Sequence, residues 1–391
     1  MTDKKTVREP LFQISKRDGL EWWKAWLIRL AAIAISLVVA SLLCMILSGK
    51  NPVELVSEIF KGVFGTERKF KVFLREAAFL LCIAIAITPA FKMKFWNIGA
   101  EGQVLMGALA CAMCMQFFGG KVADGLLVVI ELFASIMFGI VWAVIPAIFK
   151  AKWDTNETLF TLMMNYIATQ FVLYFVNKCD KSGQGMPIRY PDGHMPIMID
   201  KYFDMVIIVT VITLLVFVYM KYTKHGFELS LVGESQSTAK YVGINVKKVI
   251  IRTLIVSGAI CGIAGFLLCA GDSYSVSSNT ANGRGFTAII VSWLAKFNPL
   301  IMILTSAFVV FLQKGTYQAA STFKISNALP DIIVGIVFLF VIGCEFFVEY
   351  KIKLHKKAPA DFMSEEKPSE KTAKKRAKNP AEDKETKEDK Q

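Results

Sequence analysis

Histidine is scarce in this chain. There are three in 391 residues, His194, His225 and His355, too far apart for metal-ligand spacing, so no metal site is read from them. No G-x-x-x-x-G-K-[ST] phosphate loop is present. The pair Gly120-Lys121 lacks both the upstream glycine spacing and the following Ser/Thr, so the chain is not expected to hydrolyse ATP itself. No nucleophile–base pair falls within an apolar run, which argues against a membrane enzyme. A disulfide framework is also missing. Of eight cysteines, Cys44, Cys82, Cys111, Cys114, Cys261, Cys269 and Cys344 lie in apolar runs and Cys179 stands alone in a loop. Cys111 and Cys114 have CxxC spacing but no second ligand pair, and read as small apolar fillers.

What the chain has in excess is apolar length. It is 54% hydrophobic, with a mean hydropathy of +0.48, against about 45–50% apolar residues in soluble domains. The excess sits in long runs. Trp26 to Leu47 holds one charge, Arg29; Leu126 to Phe149 holds one, Glu131; Tyr202 to Met220 holds one, Asp204. Runs of about 18 or more such residues match a hydrocarbon core of about 30 Å at about 1.5 Å per helical residue. The first run starts near residue 26 and no small-residue cleavage site follows it, so it reads as a permanent span and not a leader. The formal charge is +13. Its lysines and arginines cluster at span ends and in the tails, as a cytoplasmic bias of positive charge requires, so no nucleic-acid partner is called for.

These features predict an all-α polytopic protein with about ten transmembrane helices and both termini cytoplasmic. Residues 1–24 form a basic N-terminal segment, 25–350 the membrane domain, and 351–391 a charged tail with the composition of a disordered segment. The spans run near 26–47, 77–91, 100–118, 126–149, 159–176, 202–220, 250–270, 286–295, 299–313 and 330–347. An amphipathic helix is expected near 52–64, and a polar outer loop at 177–203 with a turn at Pro191-Asp192-Gly193.

Two stretches interrupt the apolar pattern. The first is Phe95-Trp-Asn-Ile-Gly-Ala-Glu-Gly-Gln103, and the second Asn279-Thr-Ala-Asn-Gly-Arg-Gly285. Irregular backbone at membrane depth persists only inside protein or beside a water-filled path. An ionisable residue there, Glu101, marks a pathway by default. It is equally suited to capping the helix that it opens. The first break is expected to face inward and the second outward, the placement that points to inverted repeats with the path between them. A third stretch, 232–248, lies in a basic cytoplasmic loop. There Glu234 to Val242 has helical character between Gly233 and Gly243, as a short helix pushed by a motor protein needs.

The segments FWNIGAEGQVLMGALA (95–110), NETLFTLMMNYIA (156–168), VGESQSTAKYVGINV (232–246) and GRGFTAIIVSWLAKFNPL (283–300) resemble the permease subunits of bacterial ABC importers for simple sugars, nucleosides and branched-chain amino acids. The nearest likeness is to nucleoside (guanosine-type) permeases that work with a basic-membrane-protein-type receptor. The resemblance covers roughly residues 25–350. It implies a type II importer-like fold with two inverted halves, in a bacterial cell membrane. Gly233, Glu234, Ala239, Gly243 and Ile244 match the family's G-E-x-x-x-x-A-x-x-x-G-I segment, which implies ATPase coupling. Asn97, Gly99, Glu101, Gly102 and Gln103 match the stretch after the second span, and Asn156, Glu157 and Asn165 the opening of the fifth. Trp293 and Lys296 depart from the family's apolar residues and glycines, and the loop 177–203 is more polar than usual.

The resemblance also implies partners: a cytoplasmic ATP-binding subunit that holds ATP and Mg²⁺, an extracytoplasmic substrate-binding lipoprotein docking near 178–200, and a second permease, identical or related. No cofactor is expected on this chain. An uncharged nucleoside calls for amides and aromatic rings, with Asn97, Gln103, Asn165, Tyr274 and Trp293 as candidates beside Glu101. A sugar permease of the same architecture and an ion-coupled secondary transporter are the alternatives. The latter would usually need a carboxylate pair at mid-membrane, whereas Glu131 is alone in its span.

Overall fold

The computed structural model describes residues 12–17, 21–49, 51–180, 185–326 and 328–354. The chain divides into two compact units. In the described part of the smaller unit, β1 (Phe12–Lys16) and β2 (Tyr350–Leu354) pair antiparallel, with Phe12 opposite Leu354 and Lys16 opposite Tyr350. Residues 351–354, expected to begin an irregular tail, are thus part of a strand. The period-two alternation of YKIKL is the local reason. The rest of the expected tail lies outside the described residues.

The larger unit, 27–344, is all helical. Its helices are α1 (Trp22–Ser48), α2 (Pro52–Phe64), α3 (Glu67–Lys92), α4 (Ala100–Phe118), α5 (Asp124–Trp153), α6 (Glu157–Cys179), α7 (Lys201–Tyr222), α8 (Lys224–Glu234), α9 (Gln236–Tyr241) and α10 (Val246–Phe266). A π-helical turn (Leu267–Ser273) and α11 (Arg284–Leu294), α12 (Pro299–Phe323) and α13 (Ala328–Glu349) follow; α1 and α13 run past the unit's edges. Eight of the described helices are long and apolar enough to cross a bilayer. The expected amphipathic helix is α2, held by Asn51 as N-cap and Pro52 in its first turn.

Two of the ten expected spans need correction. The one placed at 286–295 is α11, with 11 residues. At about 1.5 Å per residue it reaches only half-way through a bilayer. The one placed at 77–91 is the inner half of α3 and is the centre of the bundle, since every residue from Ala77 to Phe91 is buried. A helix that is apolar all round belongs inside its neighbours. In addition α12 continues to Phe323, ten residues past the expected end at 313.

Close approach of helices follows from glycine. On α10, Gly258 and Gly262 form a small-xxx-small pair facing Gly139 of α5, and a Cβ on Gly262 would stand 2.3 Å from the Ser135 carbonyl oxygen. Without a hydrophobic force between helices in lipid, such backbone contact supplies the packing. It locks α4, α5 and α10 into one block, with Gly107 of α4 against Gly262 as well.

Candidate translocation site and coupling surface

Helix α3 ends in a Schellman turn. Lys94 takes the left-handed conformation (φ 59°) usually left to glycine. Its N–H donates to the Phe91 carbonyl, and the Phe95 N–H to the Ala90 carbonyl, both at 2.9 Å. The chain then runs irregularly through the interior, where buried backbone needs partners. Side-chain amides supply them. Asn97 Oδ1 accepts from the Gly99 N–H at 3.1 Å and the Gln103 amide at 3.2 Å, and Asn97 Nδ2 donates to Ser257 on α10 at 3.4 Å. Asn165 on α6 accepts from the Gly102 N–H at 2.8 Å and donates to the Ile98 carbonyl at 2.9 Å. One turn earlier, Thr161 accepts from the Ile98 N–H at 3.2 Å. Asn97, Gln103 and Asn165 are therefore together and buried, bracing the first break.

The second break meets the first. Helix α11 begins at Gly283 (φ 72°) without a side-chain cap from its own segment. Glu101, in the first turn of α4, provides one from 182 residues away. Its Oε1 accepts from the Gly283 N–H and its Oε2 from the Gly285 N–H, each at 2.7 Å. A carboxylate at the positive end of a helix, held by two charge-assisted bonds, suits both the dipole and the orphan N–H groups. Gly285 is required by this approach, because a Cβ there would lie 2.5 Å from the Glu101 nitrogen. The cap expected of Glu101 is thus made, but to α11 and not to its own helix. The two breaks, expected at opposite faces, touch, because an 11-residue helix starts part-way through the bundle.

The inner corners of α3 and α11 are alike. Helix α11 also ends with a left-handed lysine, Lys296 (φ 49°), whose N–H donates to the Trp293 carbonyl, while the Phe297 N–H donates to the Ser292 carbonyl, both at 2.9 Å. The corners stack: Phe91 lies 6.2 Å from Phe297, and Trp96 5.3 Å from Trp293. Trp293 therefore belongs to this aromatic corner, apart from the amides. Tyr274 is elsewhere again. It closes the π-helical turn (φ 54°), its ring against His194 at 3.9 Å and under the Lys201 ammonium at 4.2 Å. The loop 185–200 is tied there by the Tyr190 N–H donating to the Tyr274 carbonyl. Its Gly193 (φ 77°) sits on buried Glu131, where a Cβ would meet Glu131 Oε1.

The segment expected to couple to an ATPase is two helices, not one. Glu234 is the last residue of α8, and Ser235 breaks the run and caps α9, its Oγ accepting from the Thr238 N–H at 3.2 Å. Each matched residue has a structural reason. Gly233 packs on the end of α3, where a Cβ would stand 2.1 Å from the Lys92 carbonyl oxygen. Ala239 is fully buried, in a core shared with Leu229, Met93 and Phe95. Gly243 (φ 87°) makes the Schellman turn of α9: its N–H donates to the Lys240 carbonyl at 3.0 Å, and the Ile244 N–H to Ala239 at 2.9 Å. Glu234 is exposed, and Tyr241 is 94% exposed. Glu228 of α8 holds Arg252 of α10 at 2.9 Å, and that guanidinium keeps its carboxyl below the usual range. Ser235, Ser257 and Thr161 were not singled out from sequence; lone Ser/Thr in helical stretches carries little signal.

A bundle of membrane-crossing helices with braced internal breaks and a glycine-fitted surface helix pair defines a permease subunit. Residues 71–342 match the family described as branched-chain amino acid transport system / permease component, and this chain belongs to that family. It is the permease component of an ABC importer, a multi-pass protein of the cell membrane, and such permeases work with an ATP-binding subunit and a substrate-binding protein. The chain is 26% identical to the glucose ABC transporter permease TsgB13 of Haloferax volcanii, over 87% of this chain and 93% of that one. It is 28% identical to the guanosine ABC transporter permease NupP of Bacillus subtilis, over 81% and 92%. It is 24% identical to the nucleoside ABC transporter permease NupB of Lactococcus lactis, over 83% and 92%. The ion-coupled alternative is set aside by this membership.

Proposed function

We propose that this permease carries uncharged nucleosides inward by alternating access, receiving them from an extracytoplasmic binding protein. The observation that carries the reading of the path is the junction of both helix breaks at Glu101. Two broken segments meeting inside a bundle form a point about which two halves can move. Likeness to permeases named for guanosine and nucleosides supports the substrate class. A simple sugar is the second reading, favoured by the likeness to a glucose permease.

On this proposal the α8–α9 surface, with Glu234 and Tyr241 exposed, takes the ATPase on the cytoplasmic side. A push there reaches α3 through Gly233 and Lys92, and the first break begins three residues further on. The loop 185–200 is the docking surface for the binding protein, and ATP and Mg²⁺ stay on the partner. A second permease copy or a related chain completes the channel.

The test is uptake of radiolabelled nucleosides and sugars in cells lacking and then regaining this chain with its ATPase and binding protein. Nucleoside uptake that requires all three supports the proposal. Sugar uptake alone replaces the substrate. Uptake that persists with an inactive ATPase and collapses with the ion gradient refutes it.

A further inference from the structure

Beside the Glu101 junction lies a cavity of about 270 Å³ between α3, α11, α12 and α13. Glu76, Asn282, Arg284, Gln313, Lys314 and Asp331 line it. Two are cations and two are carboxylates beside them. Glu76 Oε2 meets Arg284 at 2.6 Å and Oε1 meets Lys314 at 3.3 Å. Asp331 accepts from the Tyr317 hydroxyl at 3.0 Å. Arg284 also donates to the carbonyls of Thr280 and Ala281. Behind Glu76, Arg75 is paired with Asp272. The cavity is therefore polar, and its lining charges sum to zero. By contrast, the amides of Gln313 and Asn282 have no hydrogen-bond partner among the described residues.

We propose that this cavity is the station for the solute within the membrane domain, and that it selects an uncharged solute rich in hydroxyl or ring-nitrogen groups. The inference rests on the reading of the chain as a nucleoside or sugar permease. A charged solute entering a site whose charges already cancel leaves its own charge unpaired in a medium of low dielectric, which is costly. A neutral polar solute exchanges its water for the Gln313 and Asn282 amides without breaking an ion pair. The volume lies near the small end of ligand sites, about 300–1,000 Å³, and suits one monosaccharide or nucleoside but not an oligomer. The location fits transit: Gly283, which Glu101 caps, is the residue next to Arg284 in the lining. A solute here is next to the junction of the two breaks.

The experiment uses the full complex with its ATPase and binding protein in proteoliposomes, with guanosine, adenosine, uridine and glucose as labelled solutes. Gln313→Cys is alkylated with N-ethylmaleimide, and modification at position 313 is followed by mass spectrometry. The transported solute is expected to slow labelling about fivefold, while the 5′-monophosphate of the same nucleoside, or glucose 6-phosphate, leaves it unchanged. Gln313→Leu, which breaks no ion pair, is expected to lower uptake about tenfold, with ATPase activity and complex assembly retained. Uptake by the unmodified complex with no protection at position 313 and no effect of Gln313→Leu or Asn282→Leu overturns the site alone. Equal protection by the phosphorylated compound overturns its charge selectivity. Absence of uptake for every solute overturns the functional reading, and the site with it.

Discussion

Replacing Glu101 by glutamine tests the junction of the two breaks most directly. The side chain keeps its size, so no cavity opens. One carboxylate oxygen accepts from Gly283 and the other from Gly285. Glutamine retains one acceptor and sets an NH₂ group against the other backbone N–H. A hydrogen bond to a charged group contributes about 1.5–3 kcal/mol, and a negative charge at a helix start about 0.3–1 kcal/mol. The expected loss is therefore about 2–4 kcal/mol. An unfolding entropy of about 2.1 cal/mol/K per residue, taken over the 27–344 unit, makes this a fall in Tm of about 3–6 °C. Glu101→Asp, one methylene shorter, cannot reach both N–H groups and is expected to fall between. Thermal unfolding of the detergent-purified protein reads the shift, and nucleoside uptake reads the consequence, a severe loss. A glutamine variant with unchanged Tm and unchanged uptake would refute the argument that this carboxylate joins the breaks.

The remaining predictions concern the α8–α9 surface and the helix block. Gly233→Val places a branched side chain against the Lys92 carbonyl; uptake is expected to fall while the ATPase still turns over, and an unaffected ratio of transport to hydrolysis would count against the contact. Glu234→Arg, at an exposed position, is expected to abolish uptake with membrane insertion intact, as measured by fractionation and transport side by side. Gly262→Leu overpacks α10 against Ser135 and is expected to cost about 1–3 kcal/mol or prevent folding, read from the yield of monodisperse protein. Glu228 titrates with a lowered folded value, so its support is present at neutral pH and lost as pH falls through that value. Stability of the wild type and Glu228→Gln is therefore expected to differ at pH 7 and converge below the ordinary glutamate value of about 4.3; a gap that persists in acid would exclude the ion pair as its cause.

Most of the membrane domain was legible because a bilayer leaves few choices. Long apolar runs bounded by lysine became α1, α5, α7 and α13 within a few residues. The reading was poorer where charge sits inside the bundle. Arg75, Glu76, Arg284 and Lys314 look like span ends in the sequence, yet Glu76 holds the three cations together across α3, α11 and α12. Pairing at that distance has no local signature. The expected end of α12 at 313 lies next to Lys314, and the helix continues through that charge to Phe323. The β1–β2 pair was overlooked because its two strands are five residues each and lie more than 300 apart in sequence.

The break residues show both sides of this limit. Asn97, Glu101 and Gln103 stand out because polar side chains interrupt an apolar run, and Asn165 through the family resemblance; the structure places Asn97, Glu101 and Asn165 on backbone groups of a break, and Gln103 on the Asn97 side chain. What the sequence could not disclose was whose backbone. Glu101 is followed by Gly102 and begins a helix, so a cap to its own first turn was the local solution. That helix does not need it: the Gln103 N–H is already satisfied by the Gly99 carbonyl at 3.0 Å. The unmet donors are at Gly283, half-buried, and Gly285, buried, at the start of the 11-residue α11. Burying a helix start creates a demand that some distant acceptor must meet. The shortness of α11 and the carboxylate at Glu101 are therefore one feature, divided between two halves of the chain, and the Schellman lysines at 94 and 296 turn both halves at matching corners.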